Sequence, residues 1–244
     1  MESKTFDRCE GRMSDQKHRA QRVAATSEDL ALFEKIETQL YSAVVSDALD
    51  ELGCPGQAMH HSVRPLWPDV RLVGWARTIE CADADETPGN PYAAEIEAVD
   101  SIMEGEVVVI STGGSTQNAP WGELLSTAAM ARGARGAVVD GLVRDVKRMQ
   151  KMGFPVYATG IKPVDSKGRG LVVDYNIPIK CAGVHVSPGD LIVGDYDGIV
   201  AVPAAIASEA IELAWKKVSG ENHSREELLR GAYLREVYDR YGVL

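Results

Sequence analysis

VVVISTGGSTQNAPWGELLSTAAMARGARGAVVDGLVRDVKRMQKMGFPVYAT, residues Val107 to Thr159, decides the fold. Val107–Ser111 is an apolar run of buried-strand length. Thr112 to Pro120 is a glycine-containing loop. Gly122 to Arg132 has helical texture and is closed by Gly133, and Gly136–Asp140 is a second strand. Gly141 to Arg144 reads as a short loop. Asp145 to Met152 reads as a helix with Asp145 as N-cap, closed by Gly153. Pro155–Thr159 is a third strand. The order is β-α-β-α-β with short connections, which predicts a parallel sheet with right-handed crossovers.

On the N-terminal side, Leu30, Leu32, Phe33, Ile36 and Leu40 recur at helical spacing from about Ser27. A second helix starts near Ser42, with Val44, Val45, Ala48 and Leu49 inward and Gly53 at its end. Leu72–Val73 leads through Gly74 to an Ala76–Ile79 strand. Asp83 to Tyr92 is an acidic, turn-forming loop. Ala93 to Met103 reads as a helix with Ile96, Val99 and Ile102 on one face. After Gly160, short strands are expected at 171–173, 177–179, 184–186, 191–193 and 199–202, broken by Pro-Gly, Asp-Gly and Gly-Asp turns. A helical region follows from about Ala204 to Tyr241. Residues 1–26 read as a polar tail, disordered or laid on a neighbouring subunit, and 27–244 as a single α/β domain.

The chain has 244 residues, a net charge of −10 and 45% hydrophobic residues. No basic run tracks a phosphate backbone, which argues against nucleic-acid binding. No apolar run spans a membrane, and the polar N-terminus lacks a secretory h-region. Cys9, Cys54, Cys81 and Cys181 contain no C-x-x-C pair. They read as four reduced thiols, with Cys81 and Cys181 in strands, and point to a cytoplasmic compartment.

The functional reading comes from the two loops of the central unit. In a parallel sheet, loops 112–121 and 141–144 leave the same carboxyl edge, where ligands bind in open α/β sheets. Gly122 opens a helix whose free N–H groups can hold a carboxylate. Asp145 can hold a divalent cation, and Arg144 beside it can hold an oxyanion. Together they suit a small 2-oxo acid with a metal ion. Each residue also has a purely structural reading: Gly122 as a tight loop-to-helix contact, Asp145 as a plain N-cap, Arg144 as a surface residue or a partner of Asp140. Their coincidence on one edge favours a site.

Other motifs carry less. Asp195 and Asp197 in GDYDG lack EF-hand spacing and read as a hairpin turn. His60–His61 has no third ligand nearby in sequence and reads as surface, and His185 reads as structural. The five histidines and four cysteines show no zinc spacing. No G-x-G-x-x-G, P-loop or G-x-S-x-G motif is present, and a methyltransferase is disfavoured because no glycine-rich cofactor loop follows the first strand. KKVSGENHSREELL reads as a solvated helix.

Several stretches together resemble the RraA-like family of ribonuclease regulators and metal-dependent 4-hydroxy-4-methyl-2-oxoglutarate aldolases. They are SDALDELG (46–53), WGELLSTAA, RGARGAVVDGLVRD, GFPVYATG, VSPGDLIVGDYDGIVAVP and the pattern from Glu221 to Arg225. The resemblance runs from about Ser42 to the C-terminus. It implies a swivelling phosphohistidine-domain-like β/β/α fold, assembled as a homotrimer or homohexamer with sites between subunits. It implies that Asp145 binds Mg2+ or Mn2+ and that Arg144 contacts the keto oxygen and stabilises an enolate. The backbone N–H groups of Leu124 and Leu125 would hold a pyruvate carboxylate. Glu123, with Glu221 from a neighbouring subunit, would surround the metal's waters. The implied activity is aldol cleavage or decarboxylation of a small 2-oxo acid; the alternative is a non-catalytic regulator of a ribonuclease. Arg148 departs from the pattern, because aldolase members tend to carry an acidic residue there.

Overall fold

The structure is a computed structural model and describes residues 23–86 and 89–242. Most of the expected polar tail lies outside the described residues. The central unit forms as read: β3 (Glu106–Ser111), α4 (Glu123–Ala131), β4 (Gly136–Val143), α5 (Val146–Met152) and β5 (Val156–Ile161) follow in order. β3, β4 and β5 are parallel neighbours. β4 runs on through Gly141–Val143, so the expected loop shrinks to the Arg144–Asp145 corner. A register shift between Val139 and Leu142 accommodates one extra residue on β4.

β2 (Leu72–Asp83) is longer than its sequence suggests. Gly74 does not interrupt it; a Cβ there would lie 2.5 Å from the Gly105 carbonyl oxygen, so the glycine admits a close backbone approach. β2 pairs in parallel with β3 and antiparallel with two later strands. Its first half takes β9 (Leu191–Asp195) and its second half β6 (Gly170–Tyr175). β9 returns through a hairpin to β10 (Gly198–Val202). At the far side β1 (Arg64–Pro65) pairs with β5. Arg64 donates to the Tyr196 and Asp197 carbonyls of the β9–β10 turn, and Ala58 bridges to Val200. The mixed sheet thus curls until it is nearly closed.

Period-two alternation distributes its residues between inside and outside. Val107 and Val109 join Leu72, Ala76, Val138, Tyr157, Ile192 and Ile199 inside the curl. Val108 and Ile110 face outward under α3 (Ala93–Asp100), α4 and α5. Leu191, Val193, Val200 and Val202 pack under α1 (Ser27–Gln39), α2 (Ser42–Glu51) and α6 (Ala207–Leu229). Each fully buried Val, Leu or Ile contributes about 1.5–3 kcal/mol relative to exposure. α1 starts in a Thr26–Asp29 capping box. α2 has no cap of its own; Asp195, in the hairpin read from GDYDG, accepts from the Ser42 N–H and hydroxyl. The small hairpin β7 (Ile179–Cys181) and β8 (Val184–Val186) covers one mouth, and α7 (Leu234–Tyr241) closes the described chain.

Three expectations are corrected. The strand read at 177–179 lies at Ile179–Cys181, because Asn176 is left-handed and Ile177 uses its carbonyl to accept from Thr78. α3 stops at Asp100, and Ile96 is exposed while Ala98 and Val99 face the core. Cys54 is disulfide-bonded rather than reduced. Cysteine density argues against a disulfide scaffold but has no force against one bridge. Cys81 and Cys181 are free and in strands. Among the described residues no helix is long and apolar enough to cross a membrane.

Candidate functional site

The loop after β3 and the end of β4 meet through one backbone pairing. Trp121 forms a parallel bridge with Val143, and the Arg144 N–H donates to the Trp121 carbonyl at 3.0 Å. Trp121 is buried and stacks with Phe154 at 6.4 Å between centroids, which anchors the loop's return. On β4's other side the Lys162 N–H donates to the Val143 carbonyl. The corner carrying Arg144 and Asp145 is thereby held between two neighbours.

Gly122 occupies the N-cap position of α4. Its φ of −163° is extended, so the glycine answers a demand for space rather than for a special dihedral. A Cβ would lie 2.9 Å from Asp145 Oδ2 and 3.0 Å from Arg144 Cγ. Gly122 is thus close-packed against the two residues on which the site reading rests. The first-turn N–H groups of Glu123, Leu124 and Leu125 have no intrahelical acceptors by construction. That of Glu123 reaches Asp145 Oδ2 at a long 3.4 Å.

Asp145 sits at the N-cap position of α5, but its side chain makes no capping bond. Its φ is +60°, in the left-handed region that a non-glycine residue enters at a cost and that Asp tolerates better than most. The carboxylate is turned away from its own helix toward the tip of α4. Arg144 Nε lies 3.8 Å from Asp145 Oδ2, and Arg144 Nη2 lies 3.4 Å from Asp165 Oδ1. Arg144 does not take Asp140; that buried carboxylate accepts from the Thr112 N–H and hydroxyl and from the Ala182 N–H. Asp140 ties the start of the site loop to the β7–β8 hairpin.

Three further groups surround Arg144 that sequence reading missed. Asp165 follows β5, on the third loop of the same edge; extending the edge argument from two loops to three would have found it. Tyr92 donates its hydroxyl to Asp165 Oδ2, which pushes the phenol's pKa up. Glu95, one turn into α3, is pushed up to about 7 by burial, then by the Asp165 charge, against the lowering influence of Arg144. No local signal in the sequence marks Tyr92 or Glu95.

Glu221 lies elsewhere in the chain. It is on α6, which packs with α2 beyond β2, and it accepts from the Tyr41 hydroxyl and approaches Arg225 at 3.9 Å. A single chain does not bring it to Arg144. Arg148 is exposed on α5, and His185 is exposed on β8. His60 bonds Ser62 and stacks against His61.

Among the described residues no cluster of three or more His, Cys, Asp or Glu side chains could hold a metal. A lone half-exposed Asp145 carboxylate nonetheless fits Mg2+, which can take a single carboxylate and keep several waters; the Glu123 carboxylate is on the same helix tip, 3.5 Å from the Thr127 hydroxyl. The arrangement presents amide donors, a carboxylate and a guanidinium around one corner, enough to bind a 2-oxo acid and to stabilise negative charge on its C2 oxygen.

The RraA-like family model, described as Aldolase/RraA, matches residues 42–201. A Halalkalibacterium halodurans protein, named provisionally as a 4-hydroxy-4-methyl-2-oxoglutarate aldolase, is 33% identical over 76% of this chain and 82% of its own length. Protein DlpA of Legionella pneumophila is 29% identical, and the match spans 82% of this chain but 32% of that protein. Streptomyces coelicolor RraAS2, described as an unusual member of the RNase ES inhibitor RraA family, superposes with a TM-score of 0.74 at 29% identity. The match covers 81% of this chain and 98% of RraAS2. An uncharacterized Pseudomonas syringae protein gives 0.78 at 26% identity, over 93% of this chain and all of that one.

Proposed function

The chain belongs to the RraA-like family, and from that premise we propose that it is a carbon–carbon lyase. It acts on a small 2-oxo acid, of the 4-hydroxy-4-methyl-2-oxoglutarate or oxaloacetate type, with Mg2+ or Mn2+. The observation that carries this reading is the contact of Gly122 with both Asp145 and Arg144, which puts a helix tip, a carboxylate and a guanidinium at one corner.

In this mechanism the Leu124 and Leu125 N–H groups bind the substrate carboxylate, and the absent Cβ of Gly122 lets Asp145 and Arg144 stand close to that helix tip. Asp145, with Glu123 nearby, would hold the cation. When bound, the ion supplies Lewis-acid polarisation of the C2 carbonyl and acidifies water at its surface. Arg144 pairs with the C2 oxygen and gains strength as negative charge grows there. Glu123 orients a water that accepts the proton of the C4 hydroxyl. The C3–C4 bond breaks, its electron pair moves into the enolate, and the C4 oxygen becomes a carbonyl. Protonation at C3 then yields pyruvate. With oxaloacetate, CO2 leaves and the same enolate forms without a base.

The same reading places the chain in a trimer or hexamer of phosphohistidine-domain-like folds, with Glu221 of a neighbouring copy completing the acid set. The Leu124 side chain, 76% exposed beside the site, suits closure by such a neighbour. The likeness to RraAS2 favours a second reading, a regulator that binds a ribonuclease. Pyruvate release from oxaloacetate and from 4-hydroxy-4-methyl-2-oxoglutarate, with Mg2+ and with chelator, separates the two. The lyase reading expects chelator-sensitive release; no release from either compound, together with capture of a ribonuclease, would replace it.

A further inference from the structure

We propose that Asp165 and Tyr92 are positioning residues that aim the Arg144 guanidinium at the substrate's C2 oxygen; the inference rests on the Arg144 role proposed above. Arg144 is a long, half-exposed side chain, and one ion pair would leave its planar head free to swing. Two carboxylates instead approach different nitrogens: Asp145 lies 3.8 Å from Nε and Asp165 lies 3.4 Å from Nη2. Both ion pairs fall on the Nε/Nη2 edge of the guanidinium, and Nη1 makes no ion pair or hydrogen bond among the described residues, so one edge of the head is engaged and Nη1 is presented.

Asp165 is itself immobilised. Its Oδ2 accepts from the Tyr92 hydroxyl, and its Oδ1 accepts from the Ser166 N–H at 2.9 Å. Tyr92 stands at the N-cap position of α3, so the tether reaches from Arg144 through the loop after β5 to a separate helix. The Tyr92 phenol, its pKa raised by this bond, stays protonated at neutral pH and remains the donor. A guanidinium held in advance loses less conformational freedom when it meets the developing oxyanion, which is the use of a supporting shell around a catalytic group.

The test uses the Mg2+-loaded full chain and four variants: Asp165→Asn, Asp165→Glu, Tyr92→Phe and Arg144→Ala. The first and third are also combined with Arg144→Ala. Two quantities are read: oxaloacetate turnover, and calorimetric affinity for oxalate, a planar dianion shaped like the pyruvate enolate. Asp165→Asn should lower kcat about tenfold or more with KM changed less than about threefold, and should weaken oxalate by a similar factor. Tyr92→Phe should lower kcat several-fold, and Asp165→Glu should recover part of the loss. On the Arg144→Ala background neither change should cost anything further, because residues acting through one group are not additive. Equal losses with and without Arg144, or wild-type kcat in Asp165→Asn, would overturn the proposal. If Asp165→Asn fails to fold by circular dichroism, Tyr92→Phe decides by the same criteria. If the wild type turns over no 2-oxo acid, the lyase reading falls alone. Oxalate affinity then decides, and a loss of binding confined to the Arg144-containing background still supports the tether.

Discussion

Replacing Gly122 by alanine separates the site's geometry from the fold's stability. At φ −163° and ψ −165°, the backbone is in extended space that alanine adopts freely. The obstacle is the new Cβ, which would stand 2.9 Å from Asp145 Oδ2 and 3.0 Å from Arg144 Cγ, where ordinary contact begins at 3.4 Å. Relief therefore needs displacements of about 0.4–0.5 Å, the difference between those distances. Both side chains are about 40% exposed and can move outward, so the fold absorbs the change cheaply. The entropy removed from the unfolded chain offsets part of the strain, about 0.4–1 kcal/mol. The expected shift in Tm is no more than about 4 °C for a chain of this size. The site tolerates less: productive geometry is held to about 0.5 Å, and a misplacement near 1 Å costs about 10²-fold in rate. Gly122→Ala should thus lose about 10- to 100-fold in kcat/KM for oxaloacetate while melting close to the wild type. Coupled pyruvate detection and calorimetric melting measure the two sides. Wild-type kcat/KM in this variant would refute the claim that Gly122 abuts working groups. A large fall in Tm would refute the claim that the two side chains rotate away from the clash.

Asp145→Ala should abolish Mg2+-dependent turnover and weaken Mn2+ binding measured by electron paramagnetic resonance; unchanged binding would move the cation elsewhere. Arg144→Ala should lower kcat about 10²-fold, as for a lost oxyanion donor, whereas a change confined to KM would make it a uniform binding group. Glu95 titrates near 7 in the folded chain because burial raises it, against an unfolded value near 4.5. Its raised folded pKa means that stability is full below about pH 4.5 and is lost as pH rises through 7, by up to about 3 kcal/mol. Glu95→Gln should therefore gain stability relative to the wild type between pH 5 and pH 8 in urea unfolding; a constant difference would contradict the burial argument.

The central β-α-β-α-β unit was legible because apolar runs of strand length alternate with helical texture and glycine stops. The rule that parallel strands send their loops to one carboxyl edge then brings Gly122 and Arg144–Asp145 together. Closure of the sheet was not legible. It depends on Arg64 meeting the β9–β10 turn and on Gly194 admitting the Tyr157 ring, contacts between distant segments. Ile96 was misplaced because the stripe of α3 that meets the core runs through Ala94, Ala98 and Val99, which leaves Ile96 on the outer face. Asp145 looked like an ordinary N-cap because sequence carries no sign of a left-handed backbone that turns the carboxylate outward. Asp165 and Tyr92 escaped because their roles exist only through the three-dimensional surroundings of Arg144.

Diffraction from crystals soaked with Mn2+ and pyruvate would test the central claim most directly. The account expects an anomalous peak about 2.0–2.6 Å from a carboxylate oxygen of Asp145, with the pyruvate carboxylate on the Leu124 and Leu125 amides and its keto oxygen facing Arg144. A cation bound away from Asp145, or pyruvate seated away from the tip of α4, would contradict it.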